Sequence, residues 1–199
     1  MPSLIKLLQG ASLALVLTAT SGHAAMIDFS SAAWSGANGN GSYSVGGVTA
    51  YSNQGSLSQG ADGLGINYRD WFNGTGDELD RHEKLTIDLG STSFIHEIVL
   101  HNLYANECFL SCWNERGKYR LDGGSWQHFT ATMEGGSGML ALMVGASAQL
   151  IEFKAHSPFL QGYKHDYSVK AIKTPEPGTL ALLGLGLLGM GAIRRRRPV

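Results

Sequence analysis

With 199 residues, 27 glycines against 5 prolines and a formal charge of −1 at pH 7, the composition excludes collagen-like and disordered chains and fits one ordinary globular domain. Lys6 and Arg194, Arg195, Arg196 and Arg197 hold five of the 15 basic residues and Glu176 the one acid at the ends, so residues 26–173 keep 10 basic against 15 acidic groups, a net of −5. Nucleic-acid affinity comes from clustered Lys and Arg, and with no basic stripe in this acidic middle a nucleic-acid partner is set aside.

The first 25 residues read as a secretory signal peptide. Lys6 gives a positive start, Leu7 to Thr20 is apolar, and Gly22-His23-Ala24-Ala25 offers small residues to signal peptidase, with cleavage expected after Ala24 or Ala25. A retained membrane helix would need about 20 apolar residues, more than this stretch supplies.

From residue 26 to 173, short β-like runs alternate with Gly, Asn and Ser clusters. The expected strands are Met26 to Phe29, Val48 to Ser52, Lys84 to Leu89, Phe94 to Leu103, Lys118 to Leu121, Trp126 to Thr130, Leu140 to Val144, Leu150 to Lys154 and Tyr167 to Ile172. Leu85-Thr86-Ile87-Asp88-Leu89 alternates as a half-buried antiparallel strand should, and Phe94 to Leu103, apolar on both faces, suits a central one. Asp122-Gly123-Gly124 tolerates positive φ and predicts a hairpin between its flanks. No long helix is expected here. The pattern predicts an all-β, two-sheet antiparallel β-sandwich of jelly-roll type, whose last strand runs directly into Thr174 and puts the C-terminus at a sandwich edge, facing the membrane.

Export bears on the two cysteines. An oxidising compartment lets Cys108 and Cys112 persist as a disulfide, whereas CxxxC alone offers too few ligands for a metal. Between Asp62 and Glu83 lies the densest polar segment. Its carboxylates Asp77, Glu78 and Asp80 on a Gly-rich loop suit Ca²⁺, although the regular spacing of an EF-hand is absent; the competing reading is a solvated loop closed by its own Asx turns.

Aromatic residues are the other candidates. Trp34, Trp71, Trp113 and Trp126, with Tyr43, Tyr51, Tyr68, Tyr104 and Tyr119, are rings that either stack on sugars or pack the core, and Trp71 beside the acidic loop is the first choice for carbohydrate. Catalytic motifs are missing: no Gly-x-Ser-x-Gly, no His-Glu-x-x-His and no P-loop occurs. Asp77, Glu78, Asp80 and Glu83 are the carboxylates from which a glycosidase pair would be drawn. His96 and His101 are oddly spaced on one strand and so point to opposite faces, which argues against a shared metal. Asn73-Gly74-Thr75 matches a glycosylation sequon but reads more simply as a turn.

The C-terminus has three parts in order. Thr174-Pro175-Glu176-Pro177 breaks regular structure, Gly178 to Ile193 is Leu/Gly-rich and apolar, and four arginines follow. From Pro177 to Ile193 the apolar run, about 17 residues or roughly 25 Å of helix, sits at the short limit for a transmembrane helix. The arginines would stay cytoplasmic, which places the domain outside, as the signal peptide also requires. Glycines 184, 186, 189 and 191 would let another membrane protein approach closely.

Residues 174–199 resemble the PEP-CTERM sorting signal, with the Pro175-Glu176-Pro177 motif, the Leu/Gly-rich span and the terminal arginine cluster. The resemblance implies a Gram-negative host, recognition of Pro175, Glu176 and Pro177 by exosortase, retention in the inner membrane by Arg194 to Arg197, and an association with extracellular polysaccharide and biofilm matrix. It names a processing route, not an activity. With the catalytic motifs missing, the expected protein is non-enzymatic: membrane-anchored facing the periplasm, then at the cell surface or secreted, with exosortase and signal peptidase as processing partners and polysaccharide as its associate. The alternatives are a Ca²⁺-dependent carbohydrate-binding module and a secreted glycan-active enzyme.

Overall fold

The computed structural model describes residues 26–68, 77–80, 82–108, 112–132, 138–156 and 165–174, with the backbone alone at 107, 108, 112 and 113. Their strands are β1 (Met26–Asp28), β2 (Ser42–Val45), β3 (Val48–Ser52), β4 (Ser56–Gly60), β5 (Gly63–Asn67), β6 (Leu85–His101), β7 (Glu107–Cys108), β8 (Cys112–Trp113), β9 (Arg116–Leu121), β10 (Gln127–Thr130), β11 (Leu140–Ala155) and β12 (Ser168–Lys173). One 3₁₀ segment, Ala32–Ala37, follows β1 and buries Trp34 and Ala37.

Two long strands form the spine. β6 and β11 pair antiparallel along both halves, from Ile151 opposite Ile87 to Leu140 opposite Leu100. Each half has its own outer neighbours. The first half of β6 takes β3, with Ala50 opposite Ile87, and the second takes β12, with Ile172 opposite Ile98. β9 and then β10 extend the sheet from the second half of β11. Where two separate sheets are expected, hydrogen bonding therefore runs without a break through ten strands, and β7 and β8 form a separate pair.

Bends in the spine account for this continuity. The register of β11 on β6 slips between Met143 and Ala146 and again between Ala148 and Leu150, and Gly90 and Gly145 take φ of 75° and 63°. An extra residue in one strand bends it and increases its twist without ending the ladder, so a strand can pass from one layer to another. The Gly90 and Gly145 neighbourhoods, expected as turns dividing four strands, are bends inside two. One core results, in which Ile87 and Phe153 from the first half and Ile98, Leu100, Val169 and Ile172 from the second are all fully buried.

The remaining strands close that core. β5 lies inside the segment expected as an acidic loop, and its Leu64 and Ile66 are fully buried. Its glycines serve close approach rather than flexibility: a Cβ on Gly65 would sit 2.0 Å from the Asp77 carbonyl oxygen, and one on Gly63 2.3 Å from that of Val169. The predicted hairpin between β9 and β10 forms, with Asp122 and Gly123 at φ of 45° and 72° and Gly124 N–H donating to the Leu121 carbonyl at 2.8 Å.

β12 is an interior strand and not an edge. β6 flanks it on one side, while β5 and β1 share the other, with Val169 opposite Leu64 and Ile172 opposite Ile27. Among the described residues no helix is long and apolar enough to cross a membrane. The expected span from Gly178 to Ile193 and the signal peptide both lie outside the described residues.

Candidate functional site

Chain entry and chain exit coincide. Met26 is the backbone partner of Lys173, so the first strand begins where the last one ends. Lys173 is further held by an ion pair of its Nζ with Glu97 at 2.9 Å. Met26 and Lys173, the ends of the first and last strands, therefore lie at one point of the domain. Pro175, Glu176, Pro177 and Arg194 to Arg197 lie outside the described residues.

The carboxylates of the acidic segment have separate fates. Asp77 is exposed, whereas Glu78, Asp80 and Glu83 are buried. Glu83 Oε2 accepts the Asp80 N–H at 2.5 Å while Glu83 N–H donates to the Asp80 carbonyl, closing a turn; Glu83 Oε1 is buried without a hydrogen-bond partner. Burial, opposed by the Asp80 N–H, pushes the Glu83 carboxyl up to about 8.

Glu78 faces a different group. Asn102, in the left-handed region at φ 58°, donates its side-chain amide to Glu78 at 2.6 Å and to Asp62, and its oxygen meets His101 Nδ1 at 2.7 Å. Asp166 hydrogen-bonds both Glu78 and Glu115, and burial followed by Asp166 raises the pKa of each. Glu115 also accepts the N–H groups of Tyr104 and Asp166 at 2.5 and 3.3 Å. These carboxyls bind chain segments together from inside. Asp77, Glu78 and Asp80 do not converge as Ca²⁺ ligands, and among the described residues no three His, Cys, Asp or Glu side chains are grouped for a metal. His96 is exposed and His101 half-buried, in keeping with separate roles.

Of the tryptophans, Trp34 is core, its ring 4.9 Å from Phe29 and 6.1 Å from Tyr43. Trp71 and the sequon at 73–75 lie outside the described residues, and Trp113 is described by its backbone alone. Trp126 is half-buried on the outer face of the sheet, and three cations surround its ring: Lys118 Nζ at 5.2 Å, the Arg120 guanidinium carbon at 4.6 Å and Lys154 Nζ at 5.9 Å from the centroid. Each such contact contributes about 0.5–1 kcal/mol at an exposed site.

Strand register assembles this face. Directly opposed residues share a side of the sheet, and Lys118 stands opposite His128 on β10 and opposite Lys154 on β11. Arg116 and Arg120 lie two residues to either side, and Glu152 joins Arg120 and Lys84 in ion pairs, the latter at 2.6 Å. Lys84, Arg116, Lys118, Arg120 and Lys154 are five of the seven Lys and Arg among the described residues. The expectation of no basic stripe fails in three dimensions. Arg116-x-Lys118-x-Arg120 carried the signal, since i, i+2 and i+4 of a strand share a face.

The cysteines sit opposite each other. Cys108 on β7 is the Cα partner of Cys112 on β8. Opposed antiparallel residues are about 4.5 or 5.5 Å apart at Cα, within the range that a disulfide spans.

Comparison with known proteins bears first on the tail. The family model of the PEP-CTERM protein-sorting motif matches residues 173–197, beginning at the last residue of β12. The chain carries a PEP-CTERM sorting motif. This motif marks an exported protein that passes through a membrane-anchored sorting step. No curated protein matches this chain in sequence. Two solved structures from Clostridium perfringens are similar in part: CpGH89CBM32-6, at 14% identity over 66% of this chain and 95% of that one with a TM-score of 0.34, and the family 32 CBM of NanJ in complex with galactose, at 12% identity over 63% and 93% with a TM-score of 0.36.

Proposed function

We propose that this protein is an exosortase substrate whose β-domain is released at the cell surface as a non-enzymatic, polysaccharide-associated matrix component. Signal peptidase removes residues 1–25, Gly178 to Ile193 holds the chain in the inner membrane with Arg194 to Arg197 on the cytoplasmic side, and exosortase cuts at or beside Pro175-Glu176-Pro177. The match of the sorting motif to residues 173–197 carries this reading.

Two features of the domain support it. Both ends leave at the Met26–Lys173 pair, so a single tether holds the domain and cutting it removes no strand. The described strands from Met26 to Lys173 share one core, so the released product keeps it. Replacing Pro175, Glu176 and Pro177 together by alanine tests the reading. The variant should accumulate in the membrane fraction while the native chain reaches the supernatant; equal release of both would overturn it.

A further inference from the structure

We propose that the outer face around Trp126 binds an acidic polysaccharide, with Arg116, Lys118 and Lys154 contacting its carboxylate or sulfate groups and Trp126 forming the floor. This deepens the polysaccharide association proposed above and rests on it.

Charge on this face is left without a counter-charge among the described residues. Residues 26–173 carry a net of −5, yet five of the seven described Lys and Arg gather on one face. Glu152 engages Arg120 and Lys84, and among the described residues Arg116, Lys118 and Lys154 have no carboxylate partner. Lys118 lies directly opposite Lys154 on one side and His128 on the other. Like charges in directly opposed positions destabilise a sheet, so packing alone gives no reason for this placement. An anion bridging Lys118 and Lys154 supplies one. The ring of Trp126 holds three cations near it without cancelling their charge. His156, whose backbone N–H donates to the Arg116 carbonyl at 2.9 Å, lies at the same end, with its ring centroid 5.7 Å from that of His128. Burial first, then the neighbouring charges of His128, Lys118 and Arg116, lowers its pKa.

Size favours a glycan over a nucleic acid. Two strand spacings by four residues make the patch about 10 by 14 Å, enough for a short stretch of a sugar chain. A DNA duplex typically engages some 6–10 phosphates, and the acidic remainder of this domain would repel them. Trp126 gives a sugar ring an apolar surface between the cations.

Full-length protein in mild detergent is titrated with polygalacturonate, dextran sulfate, neutral dextran and a short DNA duplex, at about 50 and about 200 mM salt. Binding to polygalacturonate or dextran sulfate is expected, the preferred one identifying carboxylate or sulfate as the recognised group, with roughly tenfold or greater loss at the higher salt and no binding to dextran. The triple variant R116Q, K118Q and K154Q should lose about tenfold in affinity with an unchanged or higher Tm, and Trp126→Ala should weaken binding as well. An unaffected triple variant, equal binding of neutral dextran, or tighter binding of the duplex would overturn the proposal. Fractionation of cultures separates this from the broader reading. If native protein and triple variant both stay with matrix polysaccharide, this face is not the site although the association stands; if neither does, the association itself fails.

Discussion

Glu83 makes an unusual forecast: removing a buried acid should stabilise the protein in mild alkali. Its carboxyl is fully buried, accepts one N–H from Asp80 and leaves Oε1 unpartnered. Burial raises its pKa from the ordinary 4.5 to about 8. Between those values the folded state holds a proton that the unfolded chain has released, so stability is greatest at the acidic end and falls as pH rises through the window. Each pH unit is worth about 1.4 kcal/mol per carboxyl, and partial relaxation leaves a loss on the order of a few kcal/mol. Glu78 and Glu115, raised by burial and Asp166, act in the same direction. In Glu83→Gln the amide oxygen keeps the Asp80 bond and no charge forms. Urea or thermal unfolding followed by circular dichroism should find variant and native protein within about 1 kcal/mol near pH 5, and the variant roughly 3 kcal/mol or about 10 °C more stable near pH 8.5. A native Tm that rises from pH 5 to 8, or a variant no more stable than native near pH 8.5, would refute the reasoning.

Other parts of the structure yield separate forecasts. Gly65→Ala should destabilise by about 2–4 kcal/mol in urea titrations, because its Cβ would collide with the rigid backbone at Asp77. Exported protein should have a mass about 2 Da below that of its reduced form, reflecting a Cys108–Cys112 bond; closing so short a loop contributes about 2 kcal/mol, so reductant should lower Tm by about 5 °C. A chain ending at Thr174 should unfold at the same denaturant concentration as the full chain. One ending before Ser168 should not fold, since it lacks the buried Val169 and Ile172 of an interior strand.

Local patterns were legible where one strand face meets solvent. Val48 to Ser52 and the Asp122 hairpin follow from alternation and turn chemistry, and the all-β class follows from their repetition. The long strands were not legible as units, because Gly90 to Ser93 and Gly145 to Ala148 have turn composition while tertiary pairing keeps them in the ladder. β5 was hidden by its glycines, although Leu64 and Ile66 show the two-residue period. The cationic face was half legible: β9 alone spells three basic residues at even spacing, but only register brings His128, Lys154 and the ring of Trp126 beside them. The sorting motif was legible in full, since it is a linear pattern of neighbouring residues.

On the proposed function the protein is exported and cut at its Pro-Glu-Pro motif. Intact-mass measurement on protein from culture supernatant and from inner membranes, in hosts with and without the sorting protease, tests it most directly. A supernatant species beginning near Ala25 or Met26 and ending near Pro175 should be present only when the protease is. Full-tailed protein confined to the membrane in both hosts would contradict it.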